Sequence, residues 1–300
     1  MEKFSIVVPI RNEHKLAKRT LPTYIALNPD ELIIVMDEPA PRETLYKVVD
    51  IVTECKFRDR TQLLFVPKGE GWNYQMAKVR RTGFIAAKND VVFTGDIDCV
   101  VNDNCKKAIN AVGKNNVAMA SVTKFHRPNS LLNVYRLMGH GFIKLYVHKL
   151  LGAGRFGAFP FSGQYALYKP YWLDTPEEIE DARKMFSVKQ KMREGKMEVN
   201  EYGLSSMGED IHMLEFMRKK YKTLYFSDIG AFVLSDPYDN SPVIQFWKGM
   251  FFASKGRGLS VVLARSFLKA QPQYLLGYVY GRRMLQEESG TRLLRGFGLD

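Results

Sequence analysis

Two carboxylates lie one residue apart where a predicted strand ends. Asp96 and Asp98 follow the apolar run at residues 91–93, and Gly95 precedes them. Like charges at this spacing repel each other, and a divalent cation removes that cost because it binds hard oxygen ligands. A phosphate can complete the coordination shell of such a cation. The triplet therefore indicates a metal-dependent enzyme with a phosphorylated or nucleotide-linked substrate, although strand ends also carry Asp for turn formation and capping.

The sequence around the triplet alternates between strand and helix patterns. Ligands of a parallel sheet bind beyond the carboxyl ends of its strands, which is where Asp37, Asp96 and Asp98 fall, and this favours the metal-binding interpretation. The alternation predicts an α/β fold, with a buried parallel sheet that helices cover on both faces. Apolar runs lie at residues 4–8, 32–35, 63–66, 91–93 and 117–122, and helical segments at 15–27, 41–55, 72–88 and 103–112.

From residue 123 the pattern becomes less regular. A helical spacing at 131–151 precedes a stretch rich in Gly and Phe at 152–168 and a charged segment at 175–201. Residues 152–157 satisfy G-x-G-x-x-G, but Pro160 stands where the helix of a dinucleotide site should begin, so we interpret them as a loop. A helix is predicted from residue 209 to 221 and a strand from 223 to 226.

Composition and charge restrict the class of protein. The three cysteines, Cys55, Cys99 and Cys105, are too few and too scattered for a disulfide scaffold and indicate a reducing compartment. We expect no signal peptide, and no run approaches the roughly 18 apolar residues of a membrane span. We expect a cytoplasmic protein, either free or peripheral on the cytosolic face of a membrane. The net charge of +12 fits nucleic acid, an anionic membrane or a phosphorylated substrate as partner.

Four segments, taken in order, resemble the family 2 glycosyltransferases of the GT-A fold. Residues 6–13, Ile-Val-Val-Pro-Ile-Arg-Asn-Glu, are similar to the opening strand of the family, and residues 33–37 to its second strand, which ends in Asp. Residues 79–87 are similar to the segment that precedes the Asp-x-Asp motif, at the family spacing. Gly208-Glu209-Asp210 is similar to the Glu-Asp pair of the acceptor half. The resemblance is good over residues 1–122 and patchier over 155–235.

The resemblance implies the GT-A fold, a Rossmann-like and mostly parallel sheet flanked by helices, here with a helical basic C-terminal tail. It also implies a nucleotide-sugar donor, with Mn²⁺ or Mg²⁺ held against the diphosphate by Asp98 and assisted by Asp96. Asp37 would accept a hydrogen bond from the base, Arg80 would lie near the diphosphate, and Asp96 would contact the ribose or the metal through water. The implied donor-binding residues are Pro9, Asn12, Glu13, Asp37, Arg80, Asp96 and Gly163.

The same resemblance assigns catalysis to Asp210. In the family, the second residue of the Glu-Asp pair deprotonates the acceptor hydroxyl while the sugar carbon is attacked with inversion, and Glu209 would support it. A carboxylate at a helix start also caps the helix, which is the competing interpretation. The sequence departs from the family pattern at residues 38–40, Glu-Pro-Ala, and at Arg11, so the base and the sugar of the donor stay open.

The predicted organisation has three parts: a nucleotide-sugar-binding half at 1–122, an acceptor-binding half of the same domain at 123–240, and a basic aromatic extension at 241–300. Lys and Arg mixed with Trp, Tyr and Phe in the extension fit attachment to an anionic membrane and a lipid-linked acceptor. A packing arm with a solvated basic face fits equally well. Two other functions compete with glycosyl transfer: a sugar-nucleotide nucleotidyltransferase, and a non-catalytic nucleic-acid-binding protein, of which the latter is the weaker.

Overall fold

A mixed sheet forms the centre of the larger of two units into which the chain divides. This first unit comprises residues 1–127, 160–177 and 208–236, and the second unit comprises 128–159, 178–207 and 237–300. The computed structural model describes residues 2–67, 76–126, 131, 134–135, 138, 164–173, 217, 220–234, 245–246, 249–250, 252–253, 258–268 and 270–283.

Among the described residues the sheet has eight strands in the order β3-β2-β1-β4-β7-β6-β8-β5. Strands β1 to β4 pair in parallel, β7 runs antiparallel to both β4 and β6, and β6 pairs in parallel with β8. The strands are β1 (Phe4–Ile10), β2 (Glu31–Asp37), β3 (Thr61–Val66), β4 (Val91–Thr94), β5 (Cys99–Val100), β6 (Val117–His126), β7 (Tyr165–Tyr168) and β8 (Lys222–Val233).

Helices cover both faces of this sheet. Every residue of β1 and β2 is buried, and neighbouring residues of β1 point to opposite faces, so that Ile6 and Val8 join one hydrophobic cluster and Val7 joins another. Helices α1 and α2 pack on the first face and α3 on the second. The helices of this unit are α1 (His14–Ala26), α2 (Arg42–Glu54), α3 (Met76–Ala86), α4 (Lys106–Ala111) and α5 (Lys169–Leu173).

The parallel register brings three strand ends to one edge of the sheet. Ile10 of β1 pairs with Met36 of β2, and Val7 of β1 pairs with Thr94 of β4. The turn after β1, Asp37 at the end of β2, and the loop after β4 therefore follow neighbouring strands at the same edge. This is the edge where ligands of open α/β sheets bind.

The smaller second unit contains α6 (Leu259–Leu268) and a helical segment at 272–283. Val262 of α6 packs with Tyr274 and Tyr278 of that segment, and Ala253 completes their small apolar cluster. Among the helices of the described residues, none is long and apolar enough to cross a membrane.

The predicted fold class is confirmed, and three details differ from the sequence prediction. Tyr165–Tyr168, predicted to end an irregular stretch, forms the buried strand β7 inside the sheet, because four residues are too few to show a periodicity. Strand β8 continues well beyond residue 226. Strand β3 is only partly buried because it lies at the edge of the sheet. The division into donor, acceptor and tail segments stays a prediction.

Candidate active site

The loop after β4 begins at a glycine that has no room for a side chain. A Cβ atom on Gly95 would lie 1.9 Å from Oε1 of Gln164 and 2.4 Å from the hydroxyl oxygen of Tyr24. The Tyr24 hydroxyl, which α1 carries into the core, donates a hydrogen bond to the backbone carbonyl of Asp96 at 2.9 Å. Burial raises the pKa of Tyr24 well above its ordinary value, so this hydroxyl keeps its proton. Gly95 and Tyr24 thus fix the path of residues 95–98, which we call the acidic loop.

Asp96 lies between two cations from different elements. Arg80 of α3 donates through Nη2 to Oδ1 of Asp96, and Lys124 of β6 donates through Nζ to Oδ2. Burial raises the pKa of Asp96, but the charges of Lys124 and Arg80 outweigh it and hold the pKa below the ordinary value of 3.8. Burial likewise lowers the pKa of Lys124, and the Asp96 carboxylate raises it by more. All three groups are charged at neutral pH, and together they carry one net positive charge.

Asp98 is held by different partners. The thiol of Cys99 donates to Oδ1 of Asp98 at 3.1 Å, and the backbone N–H of Leu234 donates to the Asp98 carbonyl at 2.8 Å. Cys99 is fully buried in β5, where it pairs with Val233. Burial raises the pKa of Cys99, which keeps the thiol protonated and able to donate. The carboxylate is thereby oriented from inside the sheet.

The acidic loop has a donor set that fits a divalent cation. One potential ligand atom from each of Asp96, Asp98 and Cys99 lies within 4.8 Å of the others. Two carboxylates suit Mn²⁺ and Mg²⁺, which prefer oxygen ligands. Both carboxylate oxygens of Asp96 accept hydrogen bonds from cations, and Oδ1 of Asp98 accepts one from the Cys99 thiol.

The residues predicted to contact the donor from β1 and β2 follow the same edge of the sheet. Pro9 is buried in β1 and Asn12 is exposed in the turn that follows. Oε2 of Glu13 accepts backbone hydrogen bonds from Arg11 at 2.8 Å and from Asn12 at 3.0 Å. Glu13 therefore shapes the turn through its carboxylate. Asp37 is the last residue of β2 and is 8% exposed.

The structure brings some of the predicted site residues together and leaves others undescribed. Arg80, Asp96 and Asp98 are neighbours. Gly163, Glu209 and Asp210 lie outside the described residues, as does the loop at 152–157.

Four residues that hold the acidic loop were not predicted from the sequence: Tyr24, Cys99, Lys124 and Gln164. Of these, Lys124 left a signal, since it is a single cation two residues beyond the apolar run at 117–122. Tyr24 lies in α1, Cys99 in β5 and Gln164 directly before β7, and only the tertiary structure brings these three buried residues to the loop.

Several solved structures are similar to this one. A mannosyltransferase from Pyrobaculum calidifontis, solved with GDP-Man and Mn²⁺, is 14% identical with a TM-score of 0.51, over 97% of this chain and 80% of that one. A mycobacterial protein is 13% identical with a TM-score of 0.49, over 85% and 74% of the two chains. Residues 1–349 of TarS from S. aureus are 15% identical with a TM-score of 0.44, over 88% and 72%. No curated protein matches the sequence.

The mannosyltransferase supports the fold of this chain. Its sequence identity is too low to support a shared activity. The sequence itself carries the assignment. The family model described as "Glycosyl transferase family 2" matches residues 5–175, which is more than half of the chain. The match includes β1 from its second residue, β2 to β4, Arg80, the acidic loop and Lys124. The chain therefore belongs to glycosyl transferase family 2.

Proposed function

We propose that this glycosyltransferase is metal-dependent and inverting, and that it moves a sugar from a nucleotide-activated donor to a hydroxyl acceptor. The observation that carries the proposal is the arrangement of Arg80, Asp96 and Lys124 beside Asp98 at the carboxyl ends of the strands. Arg80, Asp96 and Lys124 together carry one net positive charge, and a divalent cation held by Asp98 would offset the charge of that carboxylate. The arrangement therefore suits a diphosphate, which is the anionic part of a nucleotide-sugar.

In this proposal the donor lies across the edge formed by β1, β2 and β4. Asp37 accepts a hydrogen bond from the base, and the turn at Pro9, Asn12 and Glu13 lines the nucleoside. Arg80 and Lys124 attract the diphosphate, since guanidinium and ammonium groups bind phosphate oxygens well. Asp96 holds these two cations in place and faces the ribose, and Gly163 lets the backbone approach the sugar.

Asp98 would hold Mn²⁺ or Mg²⁺, which would neutralise charge on the departing nucleoside diphosphate. Asp210 takes the proton from the acceptor hydroxyl, with Glu209 in support. The hydroxyl oxygen then bonds to the anomeric carbon as the bond to the diphosphate breaks on the opposite face. The acceptor is a glycan or a lipid-linked hydroxyl compound.

Thermal unfolding with a panel of GDP-, UDP- and dTDP-sugars, each with and without Mn²⁺, tests this proposal. GDP-mannose comes first, because the mannosyltransferase of the same fold was solved with it. A donor at about 100 times its Kd should raise the melting temperature by roughly 5 °C. We expect the Asp98→Asn variant to lose the Mn²⁺-dependent part of the shift. The matched control is Asp50→Asn, on the exposed face of α2. A panel without any metal-dependent shift would contradict the proposal.

The competing functions predict different products. A nucleotidyltransferase would release pyrophosphate from a nucleoside triphosphate and a sugar phosphate, whereas a glycosyltransferase releases a nucleoside diphosphate from the donor. A nucleic-acid-binding protein would show salt-sensitive binding and no turnover of sugar nucleotides. The family membership favours glycosyl transfer over both.

A further inference from the structure

One helix of the second unit carries an apolar stripe that faces solvent. Leu259, Leu263 and Phe267 follow one another along α6 at intervals of four residues and are 49%, 45% and 78% exposed. Side chains four residues apart lie on the same face of a helix, so the three form a continuous row, which we call the α6 stripe. A neighbouring face of α6 packs through Val262 into the small core of the unit.

A second segment of the same unit adjoins the end of this stripe. The hydroxyl of Tyr135 donates to the backbone carbonyl of Phe267 at 3.2 Å. Near Tyr135, helical residues Leu131 and Met138 are 89% and 70% exposed. Single exposed apolar side chains are common on protein surfaces, but a patch built from several segments marks an interaction surface.

The helical segment at 272–283 adds apolar and basic groups. Leu276 and Val279 lie three residues apart and are exposed, as are Arg282 and Arg283 in the next turn. Apolar side chains on one stretch of a helix with arginines beside them are typical of helices that lie in the interface of a membrane.

The charge of this part of the chain has a single sign. Between Asp239 and Glu287, an interval that includes α6 and residues 272–283, every charged residue of the sequence is basic. A surface of anionic lipids complements both features, because it attracts basic residues and accepts inserted apolar groups. Seven basic residues lie in this interval: Lys248, Lys255, Arg257, Arg265, Lys269, Arg282 and Arg283.

We infer that the α6 stripe inserts into the surface of an anionic lipid membrane, and that the basic residues of the same unit select the anionic headgroups. The inference goes beyond the proposed function, because it depends on the second unit and needs no donor, metal ion or acceptor.

Vesicle co-sedimentation of the full chain tests the inference. Phosphatidylcholine vesicles with and without phosphatidylglycerol serve as the probe. We expect the wild-type protein to bind the anionic vesicles, and the double variant Leu263→Ser/Phe267→Ser to partition at least about tenfold more weakly. The matched control is Phe65→Ser/Ile85→Ser, which removes two exposed apolar side chains from β3 and α3 of the first unit. This control should bind as the wild-type protein does.

Each other outcome decides against the inference. Absence of wild-type binding to anionic vesicles would overturn it, and so would equal binding by the stripe variant, which would mean that charge alone holds the protein. If the wild-type protein does not bind vesicles, and light scattering shows that it is a dimer whereas the stripe variant is a monomer, the α6 stripe joins two copies of this chain instead. Circular dichroism of all variants checks that they fold, and the donor-induced thermal shift reports separately on the proposed function.

Discussion

The carboxylate of Asp96 lies between two cations, whereas that of Asp98 accepts a hydrogen bond from a buried thiol. These partners suit the two residues to different tasks. Asp96 keeps Arg80 and Lys124 together at the sheet edge, and the backbone and the Cys99 thiol orient Asp98 beside them. We therefore assign positioning to Asp96 and metal binding to Asp98 within the proposed function.

Replacing Asp96 by Asn should destabilise the protein strongly. The amide keeps the size of the side chain but removes the negative charge shared by Lys124 and by Arg80, which is 3% exposed. Loss of one member of a buried ionic group leaves uncompensated charge, so we expect a decrease of about 2 to 3 kcal/mol in the free energy of unfolding at neutral pH. The control is Asp103→Asn, since Asp103 forms an exposed ion pair with Lys106 and should contribute little. Denaturant unfolding measures both.

The difference in stability between the wild-type protein and Asp96→Asn should depend on pH. The folded pKa of Asp96 is below its ordinary value of 3.8, so its stabilising effect is complete above 3.8 and is lost as the pH falls through the folded pKa. The difference in stability between wild type and Asp96→Asn should stay constant between about pH 5 and neutral pH and shrink below about pH 4. A difference that grows in acid would contradict the ion-pair assignment.

At the scale of elements, Gly95 joins strand to loop in a space that α1 and the residue before β7 have already filled. The Gly95→Ala variant would place its methyl group 1.9 Å from Oε1 of Gln164, so either the loop or Gln164 must move. We expect a loss of about 2 kcal/mol or more in stability, as for an overpacked core. Donor and metal binding should weaken at the same time, because the displaced loop carries Asp96 and Asp98.

Gly258→Ala is the control for this experiment. Its added methyl group would meet the Ser260 hydroxyl at 3.7 Å, an ordinary contact, so its unfolding and its donor binding should match those of the wild type. If Gly95→Ala unfolds and binds as this control does, the loop is not held as we describe.

The elements of the first unit were predictable where they are long and strongly patterned. Strands β1, β2 and β6 consist largely of consecutive apolar residues. Such runs are typical of strands that are buried on both faces of a parallel sheet. The acidic loop was predictable because two carboxylates follow such a strand. Strand β7 and the contacts of Lys124 were not, because they depend on antiparallel pairings between residues far apart in sequence.

At the scale of the whole molecule, the two units separate two proposed tasks. The candidate donor site consists of residues of the first unit, and the α6 stripe belongs to the second. The positive charge likewise has two parts with different consequences. The Arg80–Asp96–Lys124 group carries one net positive charge at the site, whereas the interval between Asp239 and Glu287 has seven basic residues and no acidic one.

Donor binding should therefore protect one unit more than the other from hydrogen exchange. The experiment uses Mn²⁺ and the donor that gives the largest thermal shift. We expect slower amide exchange in residues 95–98, in α3 and at the end of β6, because a ligand bound to the native state lowers the population of locally open states. Amides of α6 and of residues 272–283 should change little, while anionic vesicles should protect these and leave 95–98 unchanged. The Asp98→Asn variant with the same donor and Mn²⁺ is the control, and it should lose the protection at 95–98. Donor-induced protection confined to α6 and 272–283 would place the donor in the second unit and contradict the assignment of the site to the acidic loop.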